Sequence, residues 1–266
     1  MRKKNEMVYG PVLSRRFGSS LGINVNFGGG KTCSFDCVYC QYGRTVHLVS
    51  SASEYANWER VEPILKAVET QLRRLNMEDR ELNSITFSGN GESTLYPYIQ
   101  EALRGVKKLR NKYYPGVQVG ILTNSSMIDC ERVFEALMEF DSIVAKLDVG
   151  SQETFVGINR PAKRIQSLNE IVNNLIRLQE ATDRVTLQTL IFKSTDPCTQ
   201  PDNAGLEEIK LIAEKACLID PKEIQIYTVS RHPSESFVEP IKAYYLRETA
   251  SRINNLIDKK RAFLYL

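Results

Sequence analysis

The chain alternates short apolar segments rich in β-branched residues with segments whose apolar residues recur three or four positions apart. The first kind predicts buried strands, and the second predicts helices with one core-facing side. Strands that alternate with helices favour right-handed βαβ units and a parallel sheet, either open and doubly wound or closed towards a barrel. Both architectures place their chemistry at the carboxyl ends of the strands, so functional motifs are expected directly after strands. The predicted strands are Leu21–Phe27, Ser84–Ser88, Gln118–Thr123, Ser142–Val149, Val185–Phe192 and Glu223–Val229.

The composition indicates a globular protein but does not identify a binding partner. The 266 residues include 35 basic and 32 acidic side chains and are 42% hydrophobic, which is typical of a globular protein and excludes a disordered, collagen-like or coiled-coil chain. The formal charge of +3 comes without any run of four basic residues, so it does not indicate nucleic-acid binding. No apolar stretch is long enough to span a membrane, and the first residues lack the apolar region of a signal peptide. We therefore expect a cytoplasmic protein with no membrane partner.

Three cysteines form the strongest chemical signal in the sequence. Cys33, Cys37 and Cys40 have the spacing C-x3-C-x2-C and follow directly after the first predicted strand. Cysteines of a reducing compartment point to metal binding or catalysis, and thiolates hold iron–sulfur clusters, normally four per cubane. With no fourth cysteine near, a cubane bound here would keep one iron open for chemistry. A structural zinc with His47 as fourth ligand and three unrelated cysteines are the alternatives, although zinc sites usually pair two distant halves.

The remaining cysteines and several arginines carry weaker signals. Cys130, Cys198 and Cys217 are scattered, so we expect ordinary buried or surface residues rather than ligands. Four residues flank the cysteines in sequence, three of them arginines. Cationic side chains close to a buried anion would stabilise it, and the alternative is that these residues are ordinary surface groups. They are Ser14, Arg15, Arg16 and Arg44.

A glycine-rich segment follows the second predicted strand, with the sequence Ser88-Gly89-Asn90-Gly91-Glu92. Glycines let the backbone approach a ligand closely, and the Glu92 carboxylate can accept a hydrogen bond from an ammonium group. A plain turn is the alternative. The segment is therefore a candidate site for an amine.

Polar residues also mark the later strands. Lys146 and Asp148 alternate along the fourth strand and are expected to share a face, which suggests a barrel interior that holds a polar ligand, or else a structural salt bridge. Asn124 follows the third strand as a ligand contact or a helix cap. Three further polar residues are either substrate contacts or satisfied core groups, namely Gln188, Gln225 and Tyr227.

The cysteine spacing, with the aromatic Tyr39 before the last cysteine, resembles the radical S-adenosylmethionine (SAM) superfamily. The segments 10–16 and 31–45 resemble its archaeal and bacterial Fe–S oxidoreductase-type members, which are distantly related to wyosine-forming tRNA enzymes. The resemblance implies an α/β fold with a partial (β/α)6 TIM-like barrel over residues 21–230. Residues 1–20 would then form an N-terminal lead, and residues 231–266 a C-terminal tail with a final helix.

The resemblance also implies a mechanism. Cys33, Cys37 and Cys40 would bind a [4Fe–4S] cluster, whose open iron is chelated by the amino and carboxylate groups of SAM. One electron would cleave SAM to methionine and a 5′-deoxyadenosyl radical, which abstracts hydrogen from a substrate. The other residues implied to bind the cofactors are Tyr39, Gly89, Asn90, Gly91, Glu92, Asn124, Lys146 and Asp148.

The resemblance implies the chemical class of the binding partners but not their identity. A one-electron donor such as flavodoxin or ferredoxin is expected, while the substrate stays open among RNA, protein or peptide, and small molecules, as does the oligomeric state. An iron–sulfur electron carrier or scaffold without SAM chemistry is the alternative function. The Glu92 segment argues against it, because a carrier needs no site for an amine.

Overall fold

The computed structural model describes residues 6–14, 16–165, 167–258 and 261–265. The chain divides into two compact units. The first unit contains Met1–Ser34, Thr45–Thr123 and Asp129–Ile143, and the second contains Phe35–Arg44, Asn124–Ile128 and Val144–Leu266. Cys33 thus belongs to the first unit, whereas Cys37 and Cys40 belong to the second.

The first unit is built on strands β1 and β2, β5 and β6, which are neighbours in that order. β1 and β2 are antiparallel, and the pairs β2–β5 and β5–β6 are parallel. A short parallel pair, β3 and β4, contains the first cysteine. The strands are β1 (Val8–Ser14), β2 (Gly18–Ile23), β3 (Thr32–Cys33), β4 (His47–Leu48), β5 (Ser84–Phe87) and β6 (Gln118–Thr123), and the helices are α1 (Val61–Met77), α2 (Ile99–Tyr113) and α3 (Glu131–Glu139).

The helices of the first unit form because their apolar residues line one side. In α1 the buried side consists of Val61, Ile64, Val68, Leu72 and Leu75, spaced three or four residues apart. Burying each such side chain contributes about 1.5–3 kcal/mol. α1 packs against α2, and α2 against α3.

The second unit repeats the parallel pattern. The part of β7 (Ser142–Lys146) from Val144 onwards belongs to this unit. In the strand order β7 is followed by β8 (Val185–Leu190), β10 (Glu223–Tyr227) and β12 (Ala262–Leu264). β8 and β12 each pair with β10 in parallel, whereas β9 (Phe192–Ser194) and β11 (Val238–Pro240) form a separate antiparallel pair. The helices are α4 (Gln152–Thr154), which continues into a π-helical turn (Phe155–Asn159), α5 (Leu168–Thr182), α6 (Leu206–Ile219) and α7 (Ala243–Leu256).

The α/β class and the six predicted strands are confirmed, although most strands end earlier than predicted. β7 ends at Lys146, so Asp148 lies just beyond the strand, where its carbonyl accepts a hydrogen bond of 2.7 Å from Asn203 Nδ2. The segment expected to be an N-terminal lead contains β1, and the expected final helix is α7. The boundaries after residues 20 and 230 stay a prediction. Within the described ranges, every helix is too short or too polar to cross a membrane.

Candidate functional site

The cysteine loop of the second unit, residues 35–44, is fixed by backbone hydrogen bonds to the π-helical turn. The Asp36 N–H donates to the carbonyl of Asn159 at 3.0 Å, and the Val38 N–H donates to that of Ile158 at 3.0 Å. The ring of Phe35 also packs edge-on against Phe155. The loop between the cysteines therefore has a defined backbone course.

A second segment, Ser234 and Glu235, holds the same loop. The Ser234 hydroxyl donates to the carbonyls of Cys37 and Val38, both at 2.9 Å, and the Glu235 N–H donates to the Val38 carbonyl at 3.0 Å. Arg44 completes this support, because its guanidinium lies 2.7 Å from Asp36 and 2.5 Å from Glu235.

Arg44 therefore connects the cysteine loop to Glu235 at the protein surface. The hydrogen bond from Arg44 to Asp36 raises the pKa of the Arg44 guanidinium above its usual range. Arg15, another of the arginines considered in the sequence, lies outside the described residues.

Of the three cysteines, Cys33 is buried, and Cys37 and Cys40 are partly exposed. Within the described ranges, no three His, Cys, Asp or Glu side chains converge to hold one metal ion. A cubane needs no such convergence, because each thiolate binds a different iron. His47, the fourth ligand of the zinc alternative, has its Nε2 2.8 Å from the carbonyl oxygen of Gly29.

The glycine segment after β5 is bonded directly to the strand that contains Cys33. The Thr32 N–H donates to the Asn90 carbonyl at 3.3 Å, and the Glu92 N–H donates back to the Thr32 carbonyl at 3.1 Å. Gly91 has a φ of +121°, and a Cβ there would lie 1.7 Å from the Thr32 carbonyl oxygen. Only glycine fits this close approach.

The Glu92 side chain is 2% exposed and already has protein partners. Its Oε1 accepts hydrogen bonds from the Thr94 N–H at 3.0 Å, the Thr94 hydroxyl at 2.7 Å and the Thr123 hydroxyl at 2.8 Å. Glu92 thus caps the 3₁₀ turn Ser93–Leu95, and the plain-turn alternative accounts for part of its role. The two threonines were not among the sequence candidates, since isolated Thr residues form no motif.

Two asparagines after β2 hold the glycine segment from the other side. Asn24 Oδ1 accepts from the Asn90 N–H at 3.1 Å, and its side chain occupies the space that a Cβ on Gly89 would need. Asn26 Nδ2 donates to the Glu92 carbonyl at 3.0 Å, whereas Asn26 Oδ1 is buried and has no hydrogen-bond partner in the part of the chain that the structure describes. A buried acceptor in this position fits a ligand that donates hydrogen bonds, as an ammonium does.

Asn124 shapes the turn after β6. Its Oδ1 accepts a hydrogen bond from the Ser126 N–H at 3.1 Å, and Ser125 between them has a φ of +71°. Ser125 thus adopts the left-handed conformation that glycine favours, at some cost for a residue with a Cβ. The Asn124 side chain therefore closes this turn on the backbone N–H of Ser126, and its role as a ligand contact stays a prediction.

Lys146 and Asp148 are an ion pair of the second unit. Lys146 Nζ lies 2.9 Å from Asp148 Oδ1, and Asp148 is 1% exposed. Asp148 also accepts from the Leu190 N–H at 2.7 Å and from the Tyr39 hydroxyl through Oδ2. Burial raises the pKa of Tyr39, and the Asp148 charge raises it further, so the hydroxyl stays protonated and donates.

The network continues from Tyr39 to a cysteine. Asn159 Nδ2 lies 3.2 Å from the Tyr39 hydroxyl oxygen and 3.4 Å from Cys37 Sγ. Asn159 is not among the residues predicted from the sequence, because nothing in its neighbourhood indicates that the chain returns to the cysteine loop there.

The polar residues of β8 and β10 satisfy one another. Tyr227 accepts a hydrogen bond from Lys146 Nζ at 2.6 Å and donates to Gln188 Oε1 at 3.1 Å, and Gln188 Nε2 donates to Gln225 Oε1 at 3.3 Å. Gln188 and Gln225 are buried. Gln188 and Gln225 therefore have the contacts of satisfied core groups, and a role of these residues as substrate contacts stays a prediction.

The profile of the family described as "Radical SAM superfamily" matches residues 29–199. The chain belongs to the radical SAM superfamily. The match contains the three cysteines, the glycine segment, Lys146, Asp148 and Asn159. Members of this superfamily use a [4Fe–4S] cluster and SAM, so this radical SAM chain is an enzyme with those cofactors and an unspecified reaction.

Several curated relatives resemble this radical SAM enzyme over most of its length. It is 31% identical over 255 residues to the UPF0026 protein MJ1312 of Methanocaldococcus jannaschii, covering 96% of this chain and 73% of that protein. It is 34% identical over 226 residues to the UPF0026 protein slr1464 of a Synechocystis strain, covering 84% and 76%. A protein named GTPase Obg from Brachyspira hyodysenteriae is 30% identical over 232 residues, covering 87% of this chain, which spans only 31% of that relative.

Solved radical SAM structures share the fold. TYW1 with a lysine–pyruvate adduct has a TM-score of 0.60 at 17% identity, covering 89% of this chain and 73% of that one. The anSMEcpe enzyme with bound AdoMet has a TM-score of 0.57 at 15% identity, covering 88% and 61%. Streptococcus suis SuiB bound to the precursor peptide SuiA has a TM-score of 0.60 at 14% identity, covering 89% and 47%. At these identities the likeness concerns the fold alone, and it confirms the predicted radical SAM type of partial barrel.

Proposed function

We propose that this enzyme cleaves SAM reductively at a [4Fe–4S] cluster bound by Cys33, Cys37 and Cys40, and that the product radical abstracts hydrogen from a substrate. When bound, the cluster supplies the electron that splits SAM into methionine and a 5′-deoxyadenosyl radical. The observation behind the proposal is the family match over residues 29–199, which contains all three cysteines and Glu92.

The chemistry of the cysteine loop fits a cluster. The backbone on either side of Cys37 is hydrogen-bonded, so metal binding would have to order little of the chain. Three thiolates leave one iron of a cubane for SAM. In this proposal the loop positions the sulfurs and keeps that iron accessible.

The glycine segment fits the amino group of SAM. Thr32 connects it to Cys33 by hydrogen bonds at both of its backbone groups, so the segment and the first ligand are positioned together. Gly89, Asn90 and Gly91 allow the backbone to lie close to a ligand. The buried Glu92 carboxylate and the open Oδ1 of Asn26 supply acceptors that an ammonium would satisfy.

The remaining residues proposed to face the cofactors are Tyr39, Asn124, Lys146 and Asp148. Tyr39 lies between two of the ligands in sequence, and its hydroxyl is tied to Asp148. Lys146 brings a positive charge beside Asp148 at the end of β7. Parallel α/β folds bind ligands at that end of their strands.

Partners and location follow from the proposed chemistry. A flavodoxin or ferredoxin would donate the electron, and a cytoplasmic location would keep the three thiols reduced. RNA, protein or peptide, and small molecules are all compatible as substrates.

The direct test of the cluster is metal analysis of anaerobically reconstituted protein. We expect about four irons and four sulfides per chain, lost when Cys33, Cys37 or Cys40 is replaced by Ala. The matched controls Cys130→Ala, Cys198→Ala and Cys217→Ala should keep the full iron content. Stoichiometric zinc without iron, or a cluster that survives all three ligand replacements, would contradict the proposal.

A further inference from the structure

We infer that Asn159 is a positioning residue for the cluster, which orients Cys37 and makes the cluster easier to reduce by donating an N–H···S hydrogen bond. The inference rests on the proposed function, since it requires Cys37 to be a cluster ligand. Asn159, Cys37 and Tyr39 all belong to the second unit.

The contacts define how the amide of Asn159 is oriented. Its Nδ2 lies 3.4 Å from Cys37 Sγ and 3.2 Å from the Tyr39 oxygen, and an amide nitrogen has two hydrogens to donate. The Tyr39 hydroxyl already gives its own hydrogen to Asp148, so its oxygen accepts. The opposite orientation would turn the amide carbonyl towards the sulfur and leave the Tyr39 oxygen without this donor.

The backbone around Asn159 makes this placement rigid. Asn159 ends the π-helical turn Phe155–Asn159, and Arg160 after it has a φ of +46°. The carbonyls of Ile158 and Asn159 accept hydrogen bonds from the cysteine loop, and Asn159 is 4% exposed. π-Helical turns are rare and occur frequently at functional sites.

The electrostatic consequence follows from the charge of the cluster. The reduced cluster has one more negative charge than the oxidised one, and a hydrogen bond donated to a ligand sulfur stabilises the more negative state. The buried position strengthens this effect, because few water molecules compete with the amide. Removing the donor should therefore lower the reduction potential.

The same amide links the cluster ligand to the charged pair described above. The connection runs from Cys37 through Asn159 and Tyr39 to Asp148 and its partner Lys146. Asp148 holds the hydroxyl of Tyr39 as an acceptor towards Asn159, so the pair keeps the amide aimed at the sulfur. The pair thus serves the orientation of Cys37 in addition to any contact with SAM.

The test is a redox titration of the reconstituted cluster, followed by electron paramagnetic resonance. In Asn159→Leu, which keeps the side-chain size without donors, the ratio of reduced to oxidised cluster at a fixed solution potential should fall about fivefold, the factor expected for one net hydrogen bond. Asn159→Asp, which keeps the shape but brings a carboxylate to the sulfur, should show a larger fall. The control is Asn254→Leu. The Asn254 side chain lies on α7 and bonds the backbone of Arg261 and Ala262, so its replacement should leave the potential unchanged.

Loss of the cluster from both folded Asn159 variants, with Asn254→Leu fully loaded, would also support the positioning role. An unchanged potential in loaded Asn159→Leu would overturn the inference, as would two variants that fail to fold by circular dichroism, which would assign Asn159 to the fold. Failure of the proposed function is distinct, because it would appear in the wild-type protein as absence of the cluster or of SAM cleavage.

Discussion

The ammonium of Lys146 lies 2.9 Å from Oδ1 of the almost fully buried Asp148. Burial by itself lowers the pKa of Lys146, but the Asp148 charge and the Tyr227 hydroxyl outweigh it and hold that pKa above its ordinary range. Lys146 therefore remains charged at neutral pH.

Replacing Lys146 by Met should destabilise the fold, because it leaves the Asp148 carboxylate without its counterion. Breaking a buried pair from one side costs about 3 kcal/mol in the free energy of unfolding, which urea denaturation measures. The double variant Lys146→Met with Asp148→Asn should recover part of that loss, since it leaves no unpaired charge. A change below about 0.5 kcal/mol in Lys146→Met, the range of ordinary surface substitutions, would contradict a stabilising pair.

The pair also predicts a dependence of stability on alkaline pH. A pKa raised in the folded state above its ordinary value of 10.5 adds stability that is complete below that pH and is lost as the pH rises through the folded pKa. The difference in unfolding free energy between wild type and Lys146→Met should therefore be constant from pH 7 to about 9 and shrink above about 10.5. A difference that grows with pH would reverse the sign of the proposed linkage.

Gly91→Ala should lower the stability of the protein and its iron content far more than Gly116→Ala. Both Gly91 and Gly116 have positive φ, but a Cβ on Gly91 meets the Thr32 carbonyl oxygen at 1.7 Å, whereas nothing lies within 4 Å of one on Gly116. Gly116→Ala should cost about 1 kcal/mol from backbone strain alone. Gly91→Ala must in addition move the strand that contains Cys33, so we expect lower iron content and weaker SAM binding. Equal thermal stability and equal iron content in the two variants would show that the close approach is unimportant.

Glu92→Gln tests the amine site with little disturbance of the turn. Gln keeps the shape and one carbonyl acceptor for Thr94 and Thr123, but it removes the negative charge. We expect the affinity for SAM to fall about tenfold, the lower range for a charge-assisted hydrogen bond, with the iron content unchanged. Isothermal titration with the reduced cluster would measure it, and an unchanged affinity would remove Glu92 from the site.

The strands and the buried helix faces could be predicted from the sequence, because they depend on local periodicity. The six predicted strands and the apolar side of α1 follow from patterns of two and of three to four residues. The glycine segment and Asn124 do lie directly after strand ends, whereas Cys33 lies within β3, well after the end of β2. The antiparallel strand β1 and the pair β9–β11 were missed, because their short or half-exposed segments have no clear alternation.

The contacts of the site depended on the tertiary fold. Asp148 was expected within a strand and lies beyond its end, since the chain turns there towards α4. Asn159 contacts Cys37 from 122 positions away in sequence, and Thr123 contacts Glu92 from 31 positions away. Long-range hydrogen bonds of single residues leave no periodic trace, so a single sequence cannot predict them.

The most direct test of the account is the release of 5′-deoxyadenosine from SAM by the anaerobically reconstituted, chemically reduced enzyme, measured by liquid chromatography with mass spectrometry. We expect 5′-deoxyadenosine and methionine in equal amounts from the wild-type chain, even if slowly in the absence of the substrate. Cys33→Ala, Cys37→Ala and Cys40→Ala should release none, and Cys198→Ala should match the wild type. A fully loaded and reduced wild-type cluster that neither binds SAM nor releases 5′-deoxyadenosine would contradict the account and favour an electron carrier.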